Sequence, residues 1–240
     1  AMSTLLIRCA GPLQSWGTRS RFSERDTERE PSKSGIIGML CAALGRERSE
    51  ALDDLAALRM GVRVDKEGVL LRDFHTAKDV MRASGGKTQD TVLSNRYYLM
   101  DAIFLVGLEG DIELLQKLEA AIKAPIWPIF LGRKACQPGL PVNLKGGGIR
   151  AKPSLEDALK SEPDLWKQRK FSHREIGEKV FRRRLVIECL PGEEGEIRQD
   201  VPLSFMLKDR HFAVRRVYTD WIEAETAEEP EKEKEVRTCI

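Results

Sequence analysis

The stretch that decides the fold is residues 11–45, GPLQSWGTRSRFSERDTEREPSKSGIIGMLCAALG, which joins a predicted strand to a predicted helix. The apolar run at residues 5–7 predicts the strand, and the breaker pair Gly11-Pro12 ends it. Ser32 or Ser34 can cap the helix, and Gly45 is placed to end it. The helix carries almost no polar residue, so we expect most of its circumference to be buried.

The start of this helix has the chemistry of a phosphate site. Free backbone N–H groups, two serine hydroxyls and Lys33 meet there. A solvated cap on a core helix is the alternative that these residues leave open. The loop before the helix carries several arginines, and its Trp16 can either stack on a base or fill the core beneath the loop.

Composition predicts a folded protein of the cytoplasm. The chain has 240 residues, enough for a sizeable core, and no apolar run approaches the ~18 residues that cross a bilayer. The beginning of the chain has no signal-peptide pattern. Its 5 cysteines are unclustered, which argues against a disulfide framework or a zinc site. We therefore expect no metal, no cofactor and no membrane.

The charge is distributed unevenly. Residues 132–184 hold 14 Lys or Arg against 6 Asp or Glu, which suits a polyanion or, alternatively, a solvated face. Residues 223–240 hold 7 glutamates against 3 basic residues, with almost no apolar content. This acidic tail is predicted to be disordered.

The hydrophobic periods between residues 5 and 131 predict the order β, α, β, β, α, β. After the first helix, residues 60–64 and 69–74 resemble a hairpin around residues 65–68, and residues 97–108 form a long β-like run. Asp111 caps a second amphipathic helix that Pro125 stops, and residues 129–131 give the last strand. This order is typical of a ferredoxin-like (RRM-like) α+β domain, whose open sheet face often binds single-stranded RNA.

Four separated motifs resemble one known family. IRCAGPLQSWG (residues 7–17), REPSKSGIIGMLCAALG (29–45), DFHTA (73–77) and FLGRKACQP (130–138) are similar to the CasD subunits of type I-E CRISPR Cascade complexes. These subunits are a branch of the Cas-five family within the RAMP superfamily. RHFAVRRVY (210–218) resembles the C-terminal strand of the family.

The resemblance implies an inserted thumb hairpin at residues 76–96, which would contact the guide RNA and a neighbouring backbone subunit through residues such as Lys87 and Arg96. We divide the chain into a RAMP domain at 1–138, a smaller β-rich extension at 139–222, and the tail at 223–240. Gly132-Arg133-Lys134 resembles the glycine-rich loop of RAMP proteins, where glycine permits close approach of a sugar-phosphate chain.

The function that the resemblance implies is non-catalytic. The subunit would cap the 5′ handle of a CRISPR RNA in Cascade, seat the backbone subunit, help dock the large subunit, and meet target DNA only through the complex. The RNA-binding residues that we expect are Trp16, Arg19, Arg21, Ser32, Lys33, Ser34, Lys87, Arg96, Gly132, Arg133 and Lys134.

Two other functions remain open from the sequence. A metal-independent endoribonuclease of repeat RNA needs a base and a cation near the cleaved phosphate, and His75 with Tyr97, Tyr98 and Lys87 can supply them. A pure assembly scaffold would use the basic surface to meet acidic protein instead. Neither requires a metal or a cofactor.

Overall fold

The computed structural model describes residues 2–19, 23–81, 85, 89–151, 154–165 and 182–223. Its strands and helices follow the chain in this order: β1 (Met2–Ala10), β2 (Leu13–Gln14), β3 (Glu24–Arg25), α1 (Lys33–Leu44), α2 (Asp53–Ala56), β4 (Arg59–Lys66), β5 (Val69–Val80), β6 (Gln89–Met100), β7 (Ile103–Asp111), α3 (Ile112–Lys123), β8 (Ile149–Ala151), α4 (Leu155–Ser161), β9 (Arg182–Glu188), β10 (Glu196–Ser204) and β11 (His211–Glu223). No helix in these ranges is long and apolar enough to cross a membrane.

The main sheet has seven antiparallel strands in the order β10-β11-β9-β4-β7-β1-β8. The predicted last strand at residues 129–131 is wrong, because β8 is the strand that pairs with β1. Residues 126 and 127 instead donate their backbone N–H groups to the carbonyls of Ala43 and Ala42, at the end of α1. That loop therefore closes the helix end and leaves the sheet edge to β8.

Helices cover both faces of the main sheet. Alternate residues of β1 enter two clusters: Leu5 and Ile7 pack with α1 and α3, whereas Leu6 packs with α4. Gly61 and Gly107 lie directly under Leu155 and Leu159 of α4, where a Cβ would collide. The face opposite α1 and α3, which we expected to be open for RNA, is thus partly covered by α4.

The start and end of α1 agree with the sequence. The Ser32 hydroxyl accepts the Gly35 N–H at 3.3 Å, and Gly45 has φ +70°, the left-handed conformation that glycine adopts without strain. Asp111 caps α3 as expected. Local capping chemistry is enough to fix both helices.

The predicted hairpin between residues 60–64 and 69–74 is wrong. Both edges of β4 are occupied, one by β7 and the other by β9, so no edge is left for β5. β5 pairs with β6 in a second sheet, ordered β2-β6-β3 with β5 on β6. The run at residues 97–108 is likewise divided between the two sheets at Asp101, whose φ is +55°.

The β5–β6 hairpin, residues 69–100, is called the arm below. Its strands are each 12 residues long, so the arm begins well before the predicted insertion at 76–96. Beyond the arm, β9, β10 and β11 extend the main sheet next to β4. Of the predicted acidic tail, residues 224–240 lie outside the described residues.

Candidate nucleic-acid interface

The start of α1 does not hold an open anion site. The Lys33 ammonium is 2% exposed and lies 2.9 Å from the Glu188 carboxylate. The Lys33 backbone N–H donates to the Asp200 carboxylate at 2.7 Å. Asp200 therefore occupies the position that we predicted for a phosphate, and Glu188 engages the ammonium that we assigned to RNA. Ser32 is buried and acts as the cap, and Ser34 is half-buried.

A buried ion network surrounds Asp200. Arg215 donates to Asp200 at 2.7 Å and contacts Glu188 at 3.4 Å, so two cations and two carboxylates share one site. Burial alone would raise the pKa of Asp200, but the hydrogen bonds and charge of Arg215 outweigh it and hold that pKa below the ordinary value. Burial lowers the pKa of Lys33, against the attraction of Glu188. The network ties α1 to β9, β10 and β11.

Trp16 belongs to the core. Its side chain is 1% exposed, and its indole N–H donates to the Gln14 side-chain oxygen at 3.1 Å. A Cβ at Gly35 would lie 2.8 Å from the ring, so helix and indole are in direct contact. Trp16 thus fills the space below the loop, the alternative to base stacking that the sequence left open.

The loop between β2 and α1 presents its cations outward. Arg19, Arg25 and Arg29 are exposed, whereas Arg21 lies outside the described residues. Arg19 also lines a cleft of about 560 Å³ that runs between this loop and the strands β10 and β11. Arg198 of β10 enters the same cleft, where it contacts Glu30 at 3.2 Å.

The Gly132 turn is pressed against the loop. Gly132 has φ +92°, and a Cβ there would overlap the Ser15 carbonyl oxygen, so no other residue fits without a shift. The Arg133 guanidinium donates to three backbone carbonyls, those of Tyr97, Arg25 and Asp26, at 3.0, 2.7 and 3.0 Å. Lys134, the next residue, is exposed.

The arm carries exposed apolar and basic side chains together. Phe74 and Leu93 are 60% and 49% exposed and lie diagonally across the two strands. Arg96 is half-buried opposite Asp73, and its Nε approaches Ser94 Oγ at 3.4 Å. Lys87 lies outside the described residues. A two-stranded hairpin with such a surface is stable only when another part of the protein or a partner molecule packs against it.

His75 lies on the same arm, beside Asp73. Its Nε2 is 2.5 Å from the Asp73 carboxylate, and Ser94 is its cross-strand partner. Both side chains are partly exposed. Among the residues that the structure describes, no group of three His, Cys, Asp or Glu side chains could hold a metal ion.

The two motifs predicted to hold phosphate, the start of α1 and the Gly132 turn, both contact residues 15 and 16. The Gly132 turn contacts the Ser15 carbonyl, and α1 contacts the Trp16 ring. Of the predicted residues, Arg19 and Lys134 are exposed near this junction, and Lys33 and Trp16 are not. Asp200, Glu188 and Arg215 were not predicted from the sequence. Their only signal is a charged residue within an apolar strand, as in Val186-Ile187-Glu188.

The chain is similar to several known proteins. Residues 4–218 match the family described as "CRISPR-associated protein (Cas_Cas5)". A relative from Escherichia coli (strain K12), "CRISPR system Cascade subunit CasD", is 33% identical over 177 residues, which cover 67% of this chain and 78% of the relative. The solved "Crystal structure of Cas protein" is 42% identical with a TM-score of 0.69, covering 92% of this chain and 95% of that chain. A chain of a "CRISPR RNA-guided surveillance complex" is 35% identical with a TM-score of 0.76, covering 92% and 90%.

Proposed function

The chain belongs to the Cas5 family of CRISPR-associated proteins, and we propose that it is the subunit that binds the 5′ handle of the guide RNA in a type I-E Cascade complex. The observation that carries the proposal is the junction of loop, turn and arm. Exposed Arg19, Arg25 and Lys134 lie there on backbone segments that are joined directly: the Arg19 N–H donates to the Asp26 carboxylate, and Arg133 donates to the carbonyls of Arg25 and Asp26. Exposed cations on joined segments suit the phosphates of one RNA strand. Similarity to a CasD subunit and to a surveillance-complex chain supports the same function.

The order β8-β1-β7-β4 supports a ferredoxin-like interpretation of the central strands. In chain order these are the fourth, first, third and second strands of a βαββαβ unit. In this interpretation the arm is the inserted thumb. Its exposed Phe74 and Leu93, with Arg72 and Lys78 on the same face, suit a neighbouring backbone subunit together with its RNA. Docking of the large subunit, indirect contact with target DNA and a cytoplasmic location belong to the same proposal.

Binding of the purified chain to labelled handle RNA tests the proposal. We expect the handle to bind at least about tenfold more tightly than a permuted RNA of equal composition, a difference of about 1.4 kcal/mol. The affinity should fall with salt, because phosphate contacts release counterions. Equal affinities and equal salt slopes for the two RNAs would mean that the chain is an assembly scaffold.

The His75–Asp73 pair supports a second candidate, a metal-independent endoribonuclease. Asp73 can orient the imidazole, and an oriented imidazole is a suitable general base for a 2′-hydroxyl. We propose the non-catalytic function over this one, because the family relative is a Cascade subunit and both side chains of the pair are partly exposed rather than enclosed in a site. Incubation of the purified chain with repeat RNA in EDTA distinguishes the two functions. Specific cleavage that His75→Ala abolishes would establish the enzyme.

A further inference from the structure

Strand β6 of the arm has a gap in its backbone pairing. On the edge away from β5, β2 pairs with β6 at residues 99 and 100, and β3 pairs with it at residues 95 and 96. Tyr97 and Tyr98 lie between these two short strands, and neither strand continues beside them. Backbone polar groups at such a position need another partner, because leaving them unpaired away from water is costly.

Arg133 supplies that partner. Its Nη1 donates to the Tyr97 carbonyl at 3.0 Å, and Ser15 Oγ donates to the same oxygen at 3.2 Å. Its Nη2 donates to the carbonyls of Arg25 and Asp26, at the end of β3. The guanidinium also lies over the Tyr98 ring, 4.9 Å from the centroid. One planar side chain thus joins the arm to the loop.

The turn that carries Arg133 is itself fixed. The Leu131 N–H donates to the Cys136 carbonyl at 2.7 Å, and the Cys136 N–H donates back to the Arg133 carbonyl at 2.8 Å. The Ser15 N–H donates to the Leu131 carbonyl at 3.1 Å, so the turn is attached to the loop by its backbone as well. The guanidinium is therefore delivered to the gap with little freedom.

We propose that Arg133 is a positioning residue, which sets the arm and the loop between β2 and α1 at a fixed separation for the RNA, rather than a phosphate ligand. The inference rests on the proposed function, since the fixed separation matters only if both elements contact one RNA. Three hydrogen bonds from two guanidinium nitrogens to carbonyls leave the charge of Arg133 engaged inside the junction. Lys134, one residue later and exposed, is the cation of this turn that is open to a phosphate.

The test compares three variants of the full chain: Arg133→Ala, Arg133→Lys and Lys134→Ala. Affinity for handle RNA and for a permuted RNA is measured across a salt series, below the unfolding temperature of each variant. For Arg133→Ala we expect handle affinity to fall about tenfold with permuted RNA unchanged, so specificity drops while the salt slope is retained. Arg133→Lys should behave like Arg133→Ala, because an ammonium cannot reproduce a planar fork between two backbone segments.

Lys134→Ala is the matched control for a phosphate contact. Removing one such contact to single-stranded RNA lowers the slope of log K against log salt by ~0.7 and weakens both RNAs equally. If Arg133→Ala produces this pattern and Arg133→Lys restores affinity, Arg133 is a phosphate ligand and the proposal is overturned. If both Arg133 variants keep handle affinity and specificity while folded, its role is structural only and the proposal is again overturned.

Hydrogen exchange of the RNA-free chain tests separately whether Arg133 holds the loop to the arm. The Asn95 N–H donates to Ser23 and the Glu28 N–H donates to Trp16, so both amides report on the attachment of the loop. Arg133→Ala should speed exchange of these two while the β1–β7 amides keep wild-type protection. Unchanged exchange would refute the positioning role of Arg133 even if RNA binds. Conversely, wild-type protein with no preference for the handle would refute the proposed function. Faster exchange in Arg133→Ala would in that case still show that Arg133 holds the loop to the arm.

Discussion

Lys33 and Lys134 stand in the two motifs that the sequence predicts to hold phosphate, and the structure gives them opposite environments. Lys33 is 2% exposed and paired with Glu188, whereas Lys134 is exposed beside a glycine turn. The difference lies in the anion. Strands β9 and β10 bring Glu188 and Asp200 to the start of α1, so the protein fills that site with its own carboxylates. The Gly132 turn has its arginine bound to carbonyls and its lysine directed outward.

The largest expected effect comes from removing the internal anion. Asp200→Ala removes one of the two carboxylates in the buried network, the one that accepts from the Lys33 N–H and from Arg215. We expect a loss of ~3–5 kcal/mol in the free energy of unfolding. Urea unfolding measures it. Asp220→Ala is the control, because its pair with Lys160 is about half exposed and such pairs are worth ~0–1 kcal/mol. Equal losses for the two variants would show that the α1 site is not a buried network.

The next largest effect is at the Gly132 turn. Gly132→Ala adds a Cβ that overlaps Ser15 at a φ of +92°, and we expect a loss of ~2–3 kcal/mol in the free energy of unfolding, from strain and the displaced loop. Gly192→Ala is a matched control, with φ +91° and nothing within 4 Å of the added atom. It should cost ~1 kcal/mol, the conformational part alone. If both cost the same, the contact with Ser15 is unimportant.

These two sites also show what sequence can and cannot reveal. The caps at Ser32 and Asp111 and the stop at Gly45 follow from neighbouring residues, so they were predictable. The partners of Lys33 lie 155 and 167 residues away along the chain, and no local pattern announces them. A cap that faces solvent and a cap that faces another strand have the same sequence.

The strand errors have a similar cause. Residues 60–74 have the period and turn of a hairpin, but pairing depends on which edges are free, and β7 and β9 take both edges of β4. The last strand is predicted at residues 129–131 because all three are apolar. The strand that forms, β8 (Ile149–Ala151), has two apolar residues, one on either side of an arginine. Its position is set by Gly148, which packs against the Leu6 carbonyl and donates its N–H to the Glu119 side chain.

A smaller effect concerns the exposed half of the comparison. Lys134→Gln should lower the salt slope of RNA binding by ~0.7 and leave the free energy of unfolding within ~0.5 kcal/mol of wild type. Lys33→Met, in contrast, should reduce stability and leave the slope unchanged in the folded protein, since this ammonium binds Glu188 rather than RNA. Salt titration of RNA binding beside urea unfolding separates the two lysines. A lower slope for Lys33→Met would reverse the comparison.

The smallest effect is the acid response of the α1 site. Because the folded pKa of Asp200 lies below its ordinary value, the unfolded chain binds the proton more readily. Its stabilising contribution is therefore present above pH ~4, the ordinary aspartate pKa, and is lost as the pH falls through the lower folded value.

Asp200→Asn should remove this part of the pH dependence, which makes the gap in stability between wild type and variant narrow below pH ~4 and stay constant above pH ~5. Other carboxylates titrate in both proteins, so only the difference between them reports on Asp200. Urea unfolding at several pH values gives that difference. A gap that widened in acid would mean that burial outweighs Arg215 and that the folded pKa of Asp200 is raised, in which case the carboxylate is a poor internal substitute for phosphate.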